Sequence, residues 1–227
     1  MEFDGKLNAV NGHEVVLSVT DERIIESLKQ FDLTVEQPEM VVKLIDERQL
    51  SPQQRRKTYA LLKDIADWLG YDVDDLKQTM KGLFYVAFGI EPFSLANTDM
   101  TTARMFISFL IEFALDEGIP MSQSLKDRTD DLEVYMLQAM RHRSCVLCGK
   151  RADIHHIDAI GMGNDRTTTD HRGREMIALC REHHQLAHSM GWPSFSQLFH
   201  VKGAVPSSEM IKKLGLMTQK RMDEIDE

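Results

Sequence analysis

The chain has 227 residues, 42% of them hydrophobic, with 27 Lys and Arg against 36 Asp and Glu for a formal net charge of −9. That length suits one large or two small domains, no stretch approaches the roughly 20 apolar residues of a membrane span, and the negative balance argues against a protein that coats duplex DNA through bulk electrostatics. The acidic start Met1-Glu-Phe-Asp lacks the basic region of a signal peptide, and all three cysteines fall between positions 145 and 180, so a soluble protein of a reducing cytoplasm is expected.

In chain order, Lys6 to Val10 and Glu14 to Val19 flank Asn11-Gly12, a strong hairpin signal. Met40 to Ile45 is predicted to be a short strand after Pro38. Ser51-Pro52 supplies a cap and a first-turn proline for a helix running to about Leu69, where Gly70 stops it. Tyr59, Leu62, Ile65, Ala66 and Leu69 form its expected apolar stripe. Asp72 or Asp74 should begin a second helix through Phe84, and a third is predicted over Thr101 to Glu117, carrying Met105, Phe106, Phe109, Leu110 and Phe113. Residues 122 to 133 are polar and mixed in charge, which predicts a linker. A helix over about 132–141 then leads to Cys145. Near the C-terminus, Val205-Pro206-Ser207-Ser208 reads as a capped helix start, with Met210 to Leu216 packing back and Gln219 to Glu227 a frayed tail.

Charge is unevenly distributed along this order. Residues 1–138 carry 14 basic and 25 acidic side chains, whereas residues 139–203 carry 9 and 6. Eight of the nine histidines also fall between His142 and His200, a clustering that core packing does not account for.

Spacing sorts these ligands into two sets. Cys145 and Cys148 form a CxxC knuckle, and Cys180 and His183 repeat the two-residue gap, giving three thiolates and an imidazole for a closed, structural zinc site. The remaining histidines are offset from that set. His184 and His188 lie four apart, on one face of a helix, and His155 from a preceding strand could complete a three-ligand site with positions open to water and phosphate. His155 and His156 are neighbours on that strand and point to opposite faces, so His156 is left to act as a general base. His142, His171 and His200 have no ligand spacing and are expected at the surface or in loops, with His171 of Asp170-His171-Arg172 a candidate for substrate contact.

Over about residues 141–200 this pattern resembles the HNH endonucleases with a ββα-metal core, in the version bracketed by a zinc knuckle. The resemblance implies metal positions for His155, His184 and His188, a catalytic magnesium or manganese, and His156 as the base that deprotonates the attacking water. Arg172, Arg174 and Arg181 become candidates to clamp the DNA backbone. Glu175 stands where the family usually has Asn, the residue that pins the hairpin loop and orients the base; Asp170 or Asn164 is expected to substitute.

Arg48-Gln-Leu-Ser51-Pro52-Gln-Gln54-Arg55-Arg56-Lys57, with a later echo from Phe106 to Gly118-Ile119, resembles the Orf (NinB-like) recombination mediators of phages over about residues 40–121. This resemblance implies a homodimeric module that engages single-stranded DNA and the host single-strand-binding protein. Arg55, Arg56 and Lys57 would contact phosphates, and Tyr59 or Trp68 would stack on a base.

The expected fold is α+β. A mostly helical Orf-like domain with a β-hairpin (residues 1–121) is followed by a linker (122–133), an HNH domain with a structural zinc knuckle (134–203), and a C-terminal helix and tail (204–227). The expected function is a metal-dependent endonuclease of phage recombination that hydrolyses phosphodiester bonds in branched or partly single-stranded DNA. Two alternatives remain open at this point: a mediator that binds DNA without cutting it, and a sequence-selective nuclease of the homing or restriction kind.

Overall fold

The computed structural model describes residues 5–11, 14–19, 21–31, 46, 48–157 and 169–226, and these divide into two units, residues 1–45 and 46–227. In the first unit, β1 (Gly5–Asn11) pairs antiparallel with β2 (Glu14–Val19), closing from Asn11 opposite Glu14, with a register shift between Leu7 and Ala9. The expected hairpin is therefore present. It is followed by α1 (Glu22–Leu28), which the sequence reading did not anticipate; Asp21 caps it by accepting the Arg23 N–H. The strand expected over Met40 to Ile45 lies outside the described residues.

The second unit begins with three helices: α2 (Pro52–Leu69), α3 (Val73–Phe88) and α4 (Met100–Asp116). Ser51 accepts the Gln54 N–H while the Gln54 side chain accepts the Ser51 N–H, a reciprocal capping box. Asp72 and Asp99 cap α3 and α4. Helix α3 continues about one turn beyond Phe84, with the Phe88 ring 4.8 Å from that of Phe84, and ends at Gly89 at φ 61°. The buried face of α2 is Leu61, Leu62, Ile65 and Ala66, whereas Tyr59 and Leu69 are exposed; the predicted stripe was centred slightly off the buried one. Phe84, Phe93, Phe106 and Phe109 meet with ring centroids 5.2 to 6.3 Å apart and join α3 to α4.

Residues 122–133, expected to be a linker, contain α5 (Leu125–Arg128) and bury both Arg128 and Thr129. Polar composition here reflects specific partners: Ser122 donates from N and Oγ to Asp64, and the buried Gln54 amide donates to Asp130 and the Met100 carbonyl. Helix α6 (Leu132–Arg141) then carries Tyr135, Met136, Ala139 and Met140 into a core that runs without interruption from Leu61 to the later strands. The N-terminal helices and the metal-ligand module thus share one core.

The last part holds an antiparallel pair, β3 (Asp153–His156) and β4 (Met176–Leu179), followed by α7 (Arg181–Met190), α8 (Trp192–Phe199), α9 (Ser208–Lys213) and α10 (Gln219–Asp226). Strand β4 is buried throughout. Ser207 caps α9 as anticipated. The predicted frayed tail is instead α10, which places Met222 against Ile211 and Met217 in a small core of its own. Its polar sequence hid a single apolar anchor. Among the described residues no helix is long and apolar enough to cross a membrane.

Candidate metal centres and their surroundings

The knuckle is built by backbone geometry before any metal is considered. At the end of α6, Arg143 adopts a left-handed conformation (φ 48°) and donates from its guanidinium to the Leu214 carbonyl, while Tyr135 Oη donates to the Val146 carbonyl. Cys145 N–H donates to the Lys150 carbonyl and Gly149 N–H to the Cys145 carbonyl. Gly149 sits at φ 70°, a conformation that a residue without Cβ adopts at no steric cost. This tight loop turns Cys145 and Cys148 toward the start of α7, where Cys180 is the cap residue and His183 lies in the first turn.

The four donors converge. His183 Nδ1 is 3.4 Å from Cys145 Sγ, 3.7 Å from Cys148 Sγ and 3.2 Å from Cys180 Sγ, and Cys148 and Cys180 are 3.7 Å apart. A tetrahedral ion with bonds of about 2.3 Å to sulfur and about 2.0 Å to nitrogen requires donor separations of roughly 3.5 to 3.8 Å, so the residues fit a closed metal site. Burial, with the adjacent Cys145, pushes the Cys148 thiol up to about 12.

A second donor set lies on the neighbouring face of α7. His155, buried on β3, has its ring centroid 4.7 Å from that of His184 and 4.8 Å from that of His188, and the Nε2 atoms of His184 and His188 are 3.2 Å apart. All three offer ligand atoms within 4.8 Å of one another. Burial, reinforced by His184, His188 and His156, holds the His155 imidazole down at about 4; it is neutral at neutral pH and has a lone pair to give. His155 is buried and His188 exposed, so the cluster is walled on one side and open on the other.

The alternation of β3 separates His156 from this set. His156 Nε2 lies 2.8 Å from His171 Nδ1, with ring centroids 4.8 Å apart. His171, expected at the surface or in a loop, lies outside any helix or strand and is only 3% exposed. The only sequence hint for it was its place between Asp170 and Arg172. Glu175, in the position of the usual Asn, is exposed. Asp170 accepts from the Arg172 guanidinium, and Asn164 lies outside the described residues. His142 bonds Glu112 and approaches Asp116, forming a third acid and imidazole group that Arg141 also enters through Glu112 Oε1.

The basic candidates have separate fates. Lys57 donates to the Thr129 carbonyl and faces Asp130, Arg172 holds Asp170 and Asp226, and Arg174 donates to the Asp170 carbonyl. Arg56 and Arg181 are exposed. Arg55 is exposed and donates to the Ala96 carbonyl at one edge of a cleft of about 290 Å³. Lys77, Lys81, Tyr59 and Ser94 line the same cleft; among the described residues no carboxylate lines it, although Lys77 is bonded to Asp74. Lys77 and Lys81 were not foreseen, because they lie on α3 while the basic run lies on α2.

No curated protein and no solved structure matches the chain. Comparison with protein families matches residues 22–217 to the family described as "Putative HNHc nuclease". With residues 22–217 of the 227 matched, the chain belongs to that family.

Proposed function

We propose that this protein is a metal-dependent endonuclease of phage recombination, acting in the bacterial host cytoplasm on branched or partly single-stranded DNA. The observation that carries the reading is the pair of donor sets on adjacent faces of α7, with His156 on the opposite face of the strand that supplies His155. In this reading Cys145, Cys148, Cys180 and His183 hold zinc, since three thiolates and an imidazole are the donor set of structural zinc sites. His155, His184 and His188 hold magnesium or manganese. Bound there, such an ion would supply positive charge for a phosphate oxygen and the leaving oxygen.

The protein's own residues do the remaining work. His156 accepts the proton of a water molecule as the O–H bond breaks; the water oxygen bonds to phosphorus, and the ester bond to the leaving oxygen breaks. Solvent returns a proton to that oxygen. Exposed Arg181 at the start of α7 is proposed to hold the DNA backbone, a contact that positions without reading sequence.

Residues 1–121 are proposed as the Orf-like targeting module, working as a homodimer that meets single-stranded DNA and a single-strand-binding protein. Arg55 and Arg56 remain its candidate phosphate contacts, joined by Lys81 of the cleft, with Tyr59 available for stacking. The partners of Lys57, Arg172 and Arg174 favour a structural use for those three. The cleft with Arg55 and Lys81 also supports a second reading, a mediator that binds single strands without cutting them.

The deciding experiment is cleavage of a matched panel (four-way junction, flap, single strand and linear duplex of unrelated sequence) with magnesium or manganese, comparing wild type with His156→Ala. Cutting of branched or single-stranded members that disappears in the variant supports the nuclease. Binding without cutting by folded, metal-loaded wild type favours the mediator.

A further inference from the structure

The resemblance to HNH enzymes assigns the task of orienting the base to an Asn, and this chain has an exposed Glu175 there. The side chain beside His156 comes from elsewhere. His171 is buried, and its Nδ1 is 2.8 Å from His156 Nε2. Its backbone is held on every side: its N–H donates to Met217 Sδ, Asp170 before it and Arg172 after it are bonded to each other, Arg172 also reaches Asp226, and Arg174 Nε donates to the Asp170 carbonyl. A backbone fixed this way keeps the buried ring within reach of its partly exposed neighbour.

We propose that His171 is the positioning residue of the site, accepting the Nε2–H of His156 at its own Nδ1 and so fixing both the tautomer and the plane of the base. The proposal rests on the nuclease reading for its catalytic consequence but not for its geometry. A neutral imidazole carries one ring proton; with that proton on Nε2, the lone pair of His156 lies on Nδ1, the atom that would take the proton of water. After the transfer the His156 imidazolium still donates through Nε2–H, now in a charge-assisted bond. His171 neither gains nor loses a proton in the step.

The test combines a direct and a kinetic readout. In the ¹⁵N-labelled, magnesium-loaded wild-type protein, a scalar coupling across the hydrogen bond between His156 Nε2 and His171 Nδ1 is expected, with the proton on His156. A missing coupling, or a proton residing on His171 Nδ1, overturns the proposal. On whichever panel substrate is cut, His171→Ala should lower kcat about 10- to 100-fold, the usual loss for an orienting partner, with KM and zinc content unchanged. His171→Asn, whose Oδ1 can stand near the position of Nδ1, should recover most of the rate; His171→Phe, which fills space but accepts nothing, should not. Equal activity of the Asn and Phe variants would count against positioning. If wild type cuts nothing, the nuclease reading fails, and the coupling alone decides the role of His171.

Discussion

Arg172 and Asp226 meet through two hydrogen bonds of 2.8 Å each, and the same guanidinium holds Asp170 on its other side. The last helix is thereby fastened to the segment that carries His171. Arg172 holds both carboxyls below the usual carboxylate range, with a further backbone contribution at Asp170.

A pH dependence follows. Because the folded carboxyls titrate below their unfolded values, the stability they contribute is present above about pH 4 and is lost as pH falls through the folded values. Asp226→Asn should lower the Tm at pH 7, and the gap from wild type should close in acid. A gap of constant size between pH 7 and pH 3 would mean that the ion pair contributes nothing.

The two donor sets should be separable by metal analysis. Cys148→Ala is expected to remove one tightly held ion and unfold the region around β3, β4 and α7, since a structural metal's binding free energy is folding free energy. His184→Ala should retain that ion and the fold while losing the second, weaker ion. Mass spectrometry for bound metal and circular dichroism on both variants check this; parallel loss in both would mean a single cooperative centre.

Much of this site was legible from spacing, because metal ligation imposes distances that sequence intervals must satisfy. The CxxC knuckle, the i,i+4 pair and the opposed faces of His155 and His156 follow from turn, helix and strand periodicities, and the donors do converge. His171 was not legible, since its partner lies 15 residues away across a connection with no periodicity. Polar composition misled at 122–133 and at 219–226. Partners for Asp64, Gln54 and Arg172 come from distant elements, and no local pattern announces them.

Protein that keeps the knuckle ion but has none at His155, His184 and His188 should show an acid-sensitive step from His155. Its folded value of about 4 lies below the ordinary 6.5, so the unfolded chain binds the proton first. The stability from keeping this imidazole neutral is full above about pH 6.5 and declines as pH falls toward 4. Urea titrations of the zinc-loaded protein without added magnesium or manganese from pH 7.5 to 4.5 should show the decline in wild type and a shallower one in His155→Asn. Identical slopes would place the titrating group elsewhere.

For the cleft on α2 and α3, Arg55→Ala and Lys81→Ala should each weaken binding to single-stranded DNA whatever its sequence and reduce the salt slope by about 1. Lys57→Ala should leave affinity unchanged and lower Tm, since its ammonium is bonded to the Thr129 carbonyl and faces Asp130. Fluorescence anisotropy at several salt concentrations distinguishes them. An effect of Lys57→Ala on affinity as large as that of Arg55→Ala would shift the binding surface off the cleft.

Gly203 offers a packing test of how the base is held. Ala204 exchanges two backbone hydrogen bonds with Met176, at 2.9 and 3.0 Å, which brings Gly203 under the adjoining ends of both strands. A Cβ there would stand 2.1 Å from Ile157 Cδ1 and 2.9 Å from Glu175 Cβ. The first clash is with the tip of a flexible side chain and can be relieved by a rotamer change. The second is with an atom fixed to the backbone, so β4 must shift, and overpacking of this kind costs roughly 1–3 kcal/mol. Ile157 follows His156 directly and Glu175 precedes Met176, the residue paired with His156. Gly203→Ala should therefore lower both Tm and kcat while leaving the zinc content intact. Shortening the flexible clash partner with Ile157→Val should recover only part of the stability in the double variant. Full recovery would show that the Ile157 tip, and not the strand backbone, sets the limit.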